Sequence, residues 1–157
     1  MVIGVIPARL HSTRFPNKIL TPINEKPMVM HVYDRARESE KLDDVIIAID
    51  SNDTEEALKQ YKPNLKMTQP DHLSGTDRVA EVVKDMDVDV ILNIQGDEPM
   101  LNPSIIDQLV SCFDDEFVEM ATIGSRVIDS SDYLNPNSVK MMINENGYAT
   151  SFSREIK

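Results

Sequence analysis

Residues 2–18 read VIGVIPARLHSTRFPNK, and the fold turns on how this stretch divides. Val2–Ile6 is an apolar run rich in β-branched side chains, with no polar residue to face water. That is the pattern of a strand buried on both faces. Pro7 ends the run, and Arg9, Arg14 and Lys18 follow in close succession. Pro16 interrupts the segment, so the three cations do not share a helical face and a loop is implied. Such a loop suits a polyanion, because Arg forks engage phosphate oxygens in pairs while Lys acts as a point charge. The bland alternative is a solvated loop with scattered cations, since the segment has no Walker pattern and no glycine between Gly4 and Gly75.

Working outward, strands and helices alternate. In 27–40, Pro27 suits a first helical turn, and Val29, Val32, Tyr33 and Ala36 recur at helical spacing. DVIIAI (44–49) reads as a second buried strand, and Asp53 with Glu56 as a capping-box start for a helix ending before Pro63. A short strand follows near 65–68. From Thr76 the period is helical again through Val79, Val82, Val83 and Met86. DVILNI (89–94) is a strand, and Pro103 opens a helix carrying Ile106, Leu109, Val110 and Phe113 on one side. The expectation is an α/β fold with a mostly parallel sheet covered on both faces. Towards the end the pattern changes: 119–127 and 138–153 read as extended, with NENG (144–147) as a hairpin turn. No linker or repeat interrupts the chain, so residues 1–157 are expected to form one domain.

Composition narrows the function classes. The formal net charge of −11 argues against nucleic acid, whose binding depends on Lys and Arg neutralising phosphates. The charge is uneven, however: residues 1–31 carry Arg9, Arg14, Lys18 and Lys26 against Glu25 alone. No apolar run approaches the ~20 residues that cross a bilayer, and the first residues lack the features of a signal peptide. The single Cys112 allows no internal disulfide and no cysteine-based zinc site. A cytoplasmic protein with no membrane partner is the expectation.

In open α/β sheets, ligands bind beyond the carboxyl ends of the strands, and the polar motifs all fall on that edge. In HLSGTDR (72–78), Ser74 and Asp77 have N-cap spacing. The same helix start, with Gly75 allowing close approach, offers free N–H groups to an anion or a base edge. Arg78 in the first turn opposes the helix dipole, a misfit that favours a functional role. In NIQGDEP (93–99), Gly96 permits a sharp turn and Asp97 is offered at the strand's end. Mg²⁺ is commonly held by one or two carboxylates plus substrate phosphates, and Asp97 is the stronger candidate beside Glu98. A polar turn rich in Asp is the bland alternative. Asp50 ends a strand and reads as a turn or cap residue. His11, His31 and His72 show no metal spacing.

Taken together, VIPARLHSTRFPNKIL (5–20), KPMVMHVYDRARES (26–39), MTQPDHLSGTDRVAEV (67–82), NIQGDEPMLNP (93–103) and NPNSVKMMINENGYATSFSR (135–154) closely resemble the 3-deoxy-manno-octulosonate cytidylyltransferase family. The resemblance runs from Val2 to Arg154. It implies a three-layer Rossmann-like nucleotidyltransferase fold. It also implies a reaction in which CTP and an acidic eight-carbon sugar give the CMP-sugar and pyrophosphate, for lipopolysaccharide or capsule synthesis. Mg²⁺ is the implied cofactor and a homodimer the implied assembly. By motif position, Arg9, Arg14 and Lys18 would hold the CTP phosphates, and Pro7 and Ala8 would lie near the cytosine with Ser74 and Gly75 reading it. Gln95 would contact nucleotide or sugar, Asp97 would bind Mg²⁺, and Arg78 would be a further nucleotide contact. Arg14, Lys18 and Asp97 are the expected catalytic groups. Gln69 stands where this family's pattern has a basic residue. Chains of the family continue past the segment matching SFSR, so the C-terminal part, with a second metal-binding aspartate and much of the sugar pocket, is expected to be missing here. The rival readings are the same chemistry on another acidic sugar, and a nucleotide-binding module that does not turn over.

Overall fold

β1 (Val2–Ala8) is the strand around which the rest is assembled, and the computed structural model describes residues 1–10, 17–126 and 129–155. The chain then forms a small antiparallel pair, β2 (Pro22–Ile23) and β3 (Lys26–Pro27), before α1 (Met28–Arg37). There follow β4 (Asp44–Ile49), α2 (Asn52–Leu58), β5 (Leu65–Met67), α3 (Gly75–Val83), β6 (Val90–Asn93) and α4 (Pro103–Ser111). The described residues divide into two compact units, Met1–Ala121 and Thr122–Lys157, at a stretch where the sequence offered no linker.

In the first unit β1 pairs in parallel with β4 on one side and β6 on the other, and β4 pairs with β5, giving the order β5-β4-β1-β6. Alternate side chains go to opposite faces, as a two-residue period requires. Ile6, Val45, Ile47 and Ile49 pack with Val29, Val32 and Tyr33 of α1 and with Ile106 and Val110 of α4. Ile3, Val5, Ile46 and Ala48 pack on the opposite face against Val79 and Val82 of α3. Each fully buried Val or Ile contributes about 1.5–3 kcal/mol. The expected α/β fold, with a parallel sheet covered on both faces, is the one observed. Among the described residues no helix is long and apolar enough to cross a membrane.

Several boundaries differ from expectation. α1 stops at Arg37 rather than near residue 40, because Asp107 on α4 accepts from Ser39 Oγ (2.5 Å) and from the backbone N–H groups of Glu40 and Lys41. The cap of α2 is Ser51, whose hydroxyl accepts from Thr54 N–H at 3.2 Å, so the helix starts ahead of the Asp53–Glu56 spacing. Residues 119–126 form no strand: the stretch is polar and apolar in no sustained alternation and has no ladder partner.

The second unit holds α5 (Ser130–Leu134) and the antiparallel pair β7 (Lys140–Ile143) and β8 (Ala149–Ser153). Its turn is the expected NENG. Asn144 Oδ1 accepts from the N–H groups of Asn146 (3.0 Å) and Tyr148 (2.9 Å), and Gly147 takes a φ of 83° that a side chain would resist.

Candidate nucleotide site

Two segments from the carboxyl edge of the sheet close on Pro7, near the end of β1. A Cβ placed on Gly75, at the start of α3, would lie 3.2 Å from Pro7 Cγ. One placed on Gly96, in the turn after β6, would lie 3.3 Å from Ile6 Cγ2 and 3.5 Å from the Pro7 carbonyl oxygen. Glycine at both positions therefore lets the SGT and QGD segments close on the end of β1. Pro7 is half-buried. The Ala8 methyl is in the core, so Ala8 has its backbone to offer at the rim.

β4 and β6 lie on opposite sides of β1, so the winding reverses between β1 and β6. A crevice outside the strand ends opens at such a reversal. Lys18 and Asp97 meet there: Lys18 Nζ donates to Asp97 Oδ2 at 2.5 Å, joining the segment after β1 to the turn after β6. Lys18 begins a short 3₁₀ turn (Lys18–Leu20) anchored by buried Ile19. The return of the chain is tied by Asn17 N–H donating to the Leu10 carbonyl at 3.1 Å. Both members of the pair are half-exposed, so they remain accessible to a ligand. Arg9 is exposed on the same segment, whereas Arg14 and His11 lie outside the described residues.

α3 begins with a complete capping box. Ser74 Oγ accepts from Asp77 N–H (3.1 Å), and the Asp77 carboxylate accepts from Ser74 N–H (3.0 Å). Ser74 thus serves the helix start while standing exposed at the rim. Gln95 is exposed and donates to Asn93 Oδ1 (3.1 Å), and Asn93 donates to Thr76 Oγ1 (3.4 Å), so the QGD and SGT segments share a polar chain. The loop ahead of α3 is tied to the helix by Glu81, which accepts from Gln69 N–H (3.0 Å) and pairs with His72. The His72 contact, and next the Gln69 N–H, hold the Glu81 carboxyl below its ordinary value.

Arg78, expected to reach the nucleotide, is 2% exposed, and its guanidinium is taken up by Asp50 (3.3 Å) and the Thr68 hydroxyl. Burial against a carboxylate accounts for a cation in a first turn. Asp50 also accepts the Leu10 N–H at 2.9 Å. Sequence reasoning read Asp50 as a turn or cap residue and left Thr68 and Glu81 unassigned, whereas Asp50 pairs with Arg78 and accepts the Leu10 N–H. The available signal was the unneutralised Arg78 and a carboxylate ending a buried strand on the same edge.

The profile of the family described as cytidylyltransferase matches residues 3–157. The chain belongs to the cytidylyltransferase family. Over 154 residues it is 44% identical to the 3-deoxy-manno-octulosonate cytidylyltransferase of Pelobacter propionicus, covering 98% of this chain and 60% of that protein. It is 42% identical to the 8-amino-3,8-dideoxy-manno-octulosonate cytidylyltransferase of Shewanella sp. (strain W3-18-1), covering 98% of this chain and 64% of that one. Among solved structures it resembles CMP:2-keto-3-deoxy-manno-octonic acid synthetase complexed with CTP. The TM-score is 0.89 at 37% identity, over 98% of this chain and 64% of that one. The cytidylyltransferase chain described here spans about 60% of the length of the curated relatives it matches.

Proposed function

We propose that this chain is the nucleotide-holding part of an enzyme that transfers CMP from CTP to 3-deoxy-manno-octulosonate, releasing pyrophosphate. The observation that carries the reading is the Lys18–Asp97 pair at the β1/β6 reversal, where a cation for phosphate and a carboxylate for a metal stand side by side. The sugar hydroxyl attacks the α-phosphorus and gives up its proton to solvent, a sugar–oxygen–phosphorus bond forms, and the bond from the α-phosphorus to the bridging oxygen breaks, with pyrophosphate carrying away the electron pair. Such a displacement depends on positioning and charge neutralisation rather than on a nucleophilic side chain. Arg9, Arg14 and Lys18 hold the triphosphate, Gln95 meets the nucleotide or sugar, and the backbone at Pro7–Ala8 and Ser74–Gly75 borders the base.

Asp97 fits Mg²⁺. It is a half-exposed carboxylate in the turn after β6, and Mg²⁺ is commonly held by one or two carboxylates together with substrate phosphates. When bound, Mg²⁺ neutralises charge developing on the phosphates. This chemistry belongs to the cytoplasm, with lipopolysaccharide or capsule synthesis as the consumer of the product.

The test is pyrophosphate release from CTP and Mg²⁺ with 3-deoxy-manno-octulosonate, with its 8-amino analogue, and with a sialic acid. Release with the first sugar above the others is expected. CTP binding without release from any of them would leave a nucleotide-binding module, and absence of CTP binding would end the proposal.

A further inference from the structure

The buried carboxylate of Asp50 lies where β4 ends, at the centre of a network that joins both sides of the candidate site. Its side chain is 8% exposed. Oδ1 accepts the Leu10 N–H at 2.9 Å, and Leu10 in turn accepts from Asn17, beside Lys18. Oδ2 accepts from Arg78 at 3.3 Å. The other terminal nitrogen of Arg78 donates to the Thr68 hydroxyl, which donates to the Ile49 carbonyl at 2.8 Å. One side chain thereby ties the segment leaving β1, the ends of β4 and β5, and the first turns of α3.

We propose that Asp50 is a positioning residue of the nucleotide site: without touching the ligand, it sets the distance between the cationic segment after β1 and the SGT start of α3. This rests on the nucleotide reading above. Cohesion alone does not call for an ion pair here, since well-packed apolar groups replace buried pairs at little or no loss. A carboxylate supplies what an apolar residue does not: two oxygens that fix a backbone N–H on one side and a guanidinium on the other. Arg78 also sits where the helix dipole repels it, and Asp50 is the neighbouring charge that compensates.

The test compares Asp50→Ala, Asp50→Asn and Val82→Ala in this chain, well below their melting temperatures. Val82 is a buried residue of α3 outside the network, so Val82→Ala controls for loss of stability alone. Asp50→Ala is expected to weaken Mg²⁺-CTP binding by about 10- to 100-fold, the affinity that one misplaced charge-assisted phosphate contact amounts to, while Val82→Ala leaves it unchanged. Asp50→Asn keeps an acceptor for Leu10 N–H but loses the charge facing Arg78. It is expected to retain more of the preference for CTP over cytidine, and it serves where the alanine variant does not fold. A ligand-free arm reads hydrogen exchange. Asp50→Ala is expected to deprotect the Leu10 amide and the Asp77–Arg78 amides together, which Val82→Ala does not do. Wild-type-like affinity in both Asp50 variants, or Leu10 protection unchanged in them, overturns the proposal. If the wild-type chain does not bind CTP, the nucleotide reading fails by itself, and the exchange arm still decides whether Asp50 couples the two segments.

Discussion

Lys18 and Asp97 are neighbours although 79 residues separate them in the chain. Each is ordinary alone; together they set a cation and a carboxylate side by side, and under the proposed function the first serves phosphate and the second a metal. Lys18→Ala should therefore act in opposite directions on two ligands. CTP affinity should fall by about tenfold or more, since a charge-assisted hydrogen bond contributes about 1.5–3 kcal/mol. Mg²⁺ without nucleotide should bind more tightly, because Asp97 loses its competing cation. Calorimetric titration reads both, and an equal loss of affinity for cytidine would remove Lys18 from the phosphates. Glu81 permits a prediction about pH. Its carboxyl is held below the ordinary value of 4.5 by His72 and the Gln69 N–H. The stabilisation this gives is fully present above about pH 4.5 and is lost as pH falls below that, through the lower value of the folded state. The wild type should lose melting temperature more steeply than Glu81→Gln below that point, and parallel acid limbs would deny Glu81 this role. Arg78 was legible as a misfit from its position alone, but the partner that explains it, Asp50, lies 28 residues away.

α3 is the element whose start was read most closely. The Ser74–Asp77 spacing announced a capping box, and both of its hydrogen bonds are present. Ser74→Ala should cost about 0.5–2 kcal/mol in chemical denaturation and should free the Asp77 N–H to exchange. A larger loss of CTP binding than of stability would show that Ser74 serves the ligand as well as the helix. α2 teaches the complementary lesson. Asp53 and Glu56 have capping-box spacing, yet Ser51 caps the helix, because a serine two residues earlier already has extended backbone and an acceptor within reach of Thr54 N–H. Residues 119–127 were expected to be extended; residue 127 lies outside the described residues, and 119–126 form no strand, since a strand exists by virtue of a partner and none pairs with them. The β7–β8 pair was legible because its turn chemistry is local: Asn144 supplies the acceptor and Gly147 the positive φ.

In the first unit, stability and site depend on the same sheet. Ile47 is fully buried at the middle of β4, among side chains from α1 and α4. Ile47→Ala should cost about 2–5 kcal/mol in denaturant unfolding, and a loss under about 1 kcal/mol would mean that the site relaxes to fill the gap. The net charge of −11 coexists with the cations of the first loop because charge acts locally once ligand and side chain touch, whereas the far field reflects the sum. The sequence by itself determined the alternation of strands and helices, the two-faced burial of β1 and β4, the helix start at Ser74 and the NENG turn. All of these follow from periods and hydrogen bonds that reach a few residues along the chain. Tertiary structure alone decided the order β5-β4-β1-β6, the meeting of Lys18 with Asp97 and the burial of Arg78 against Asp50. The physical reason is that backbone hydrogen bonding makes every strand a possible neighbour of every other, and packing of the helices on both faces selects which loops share an edge.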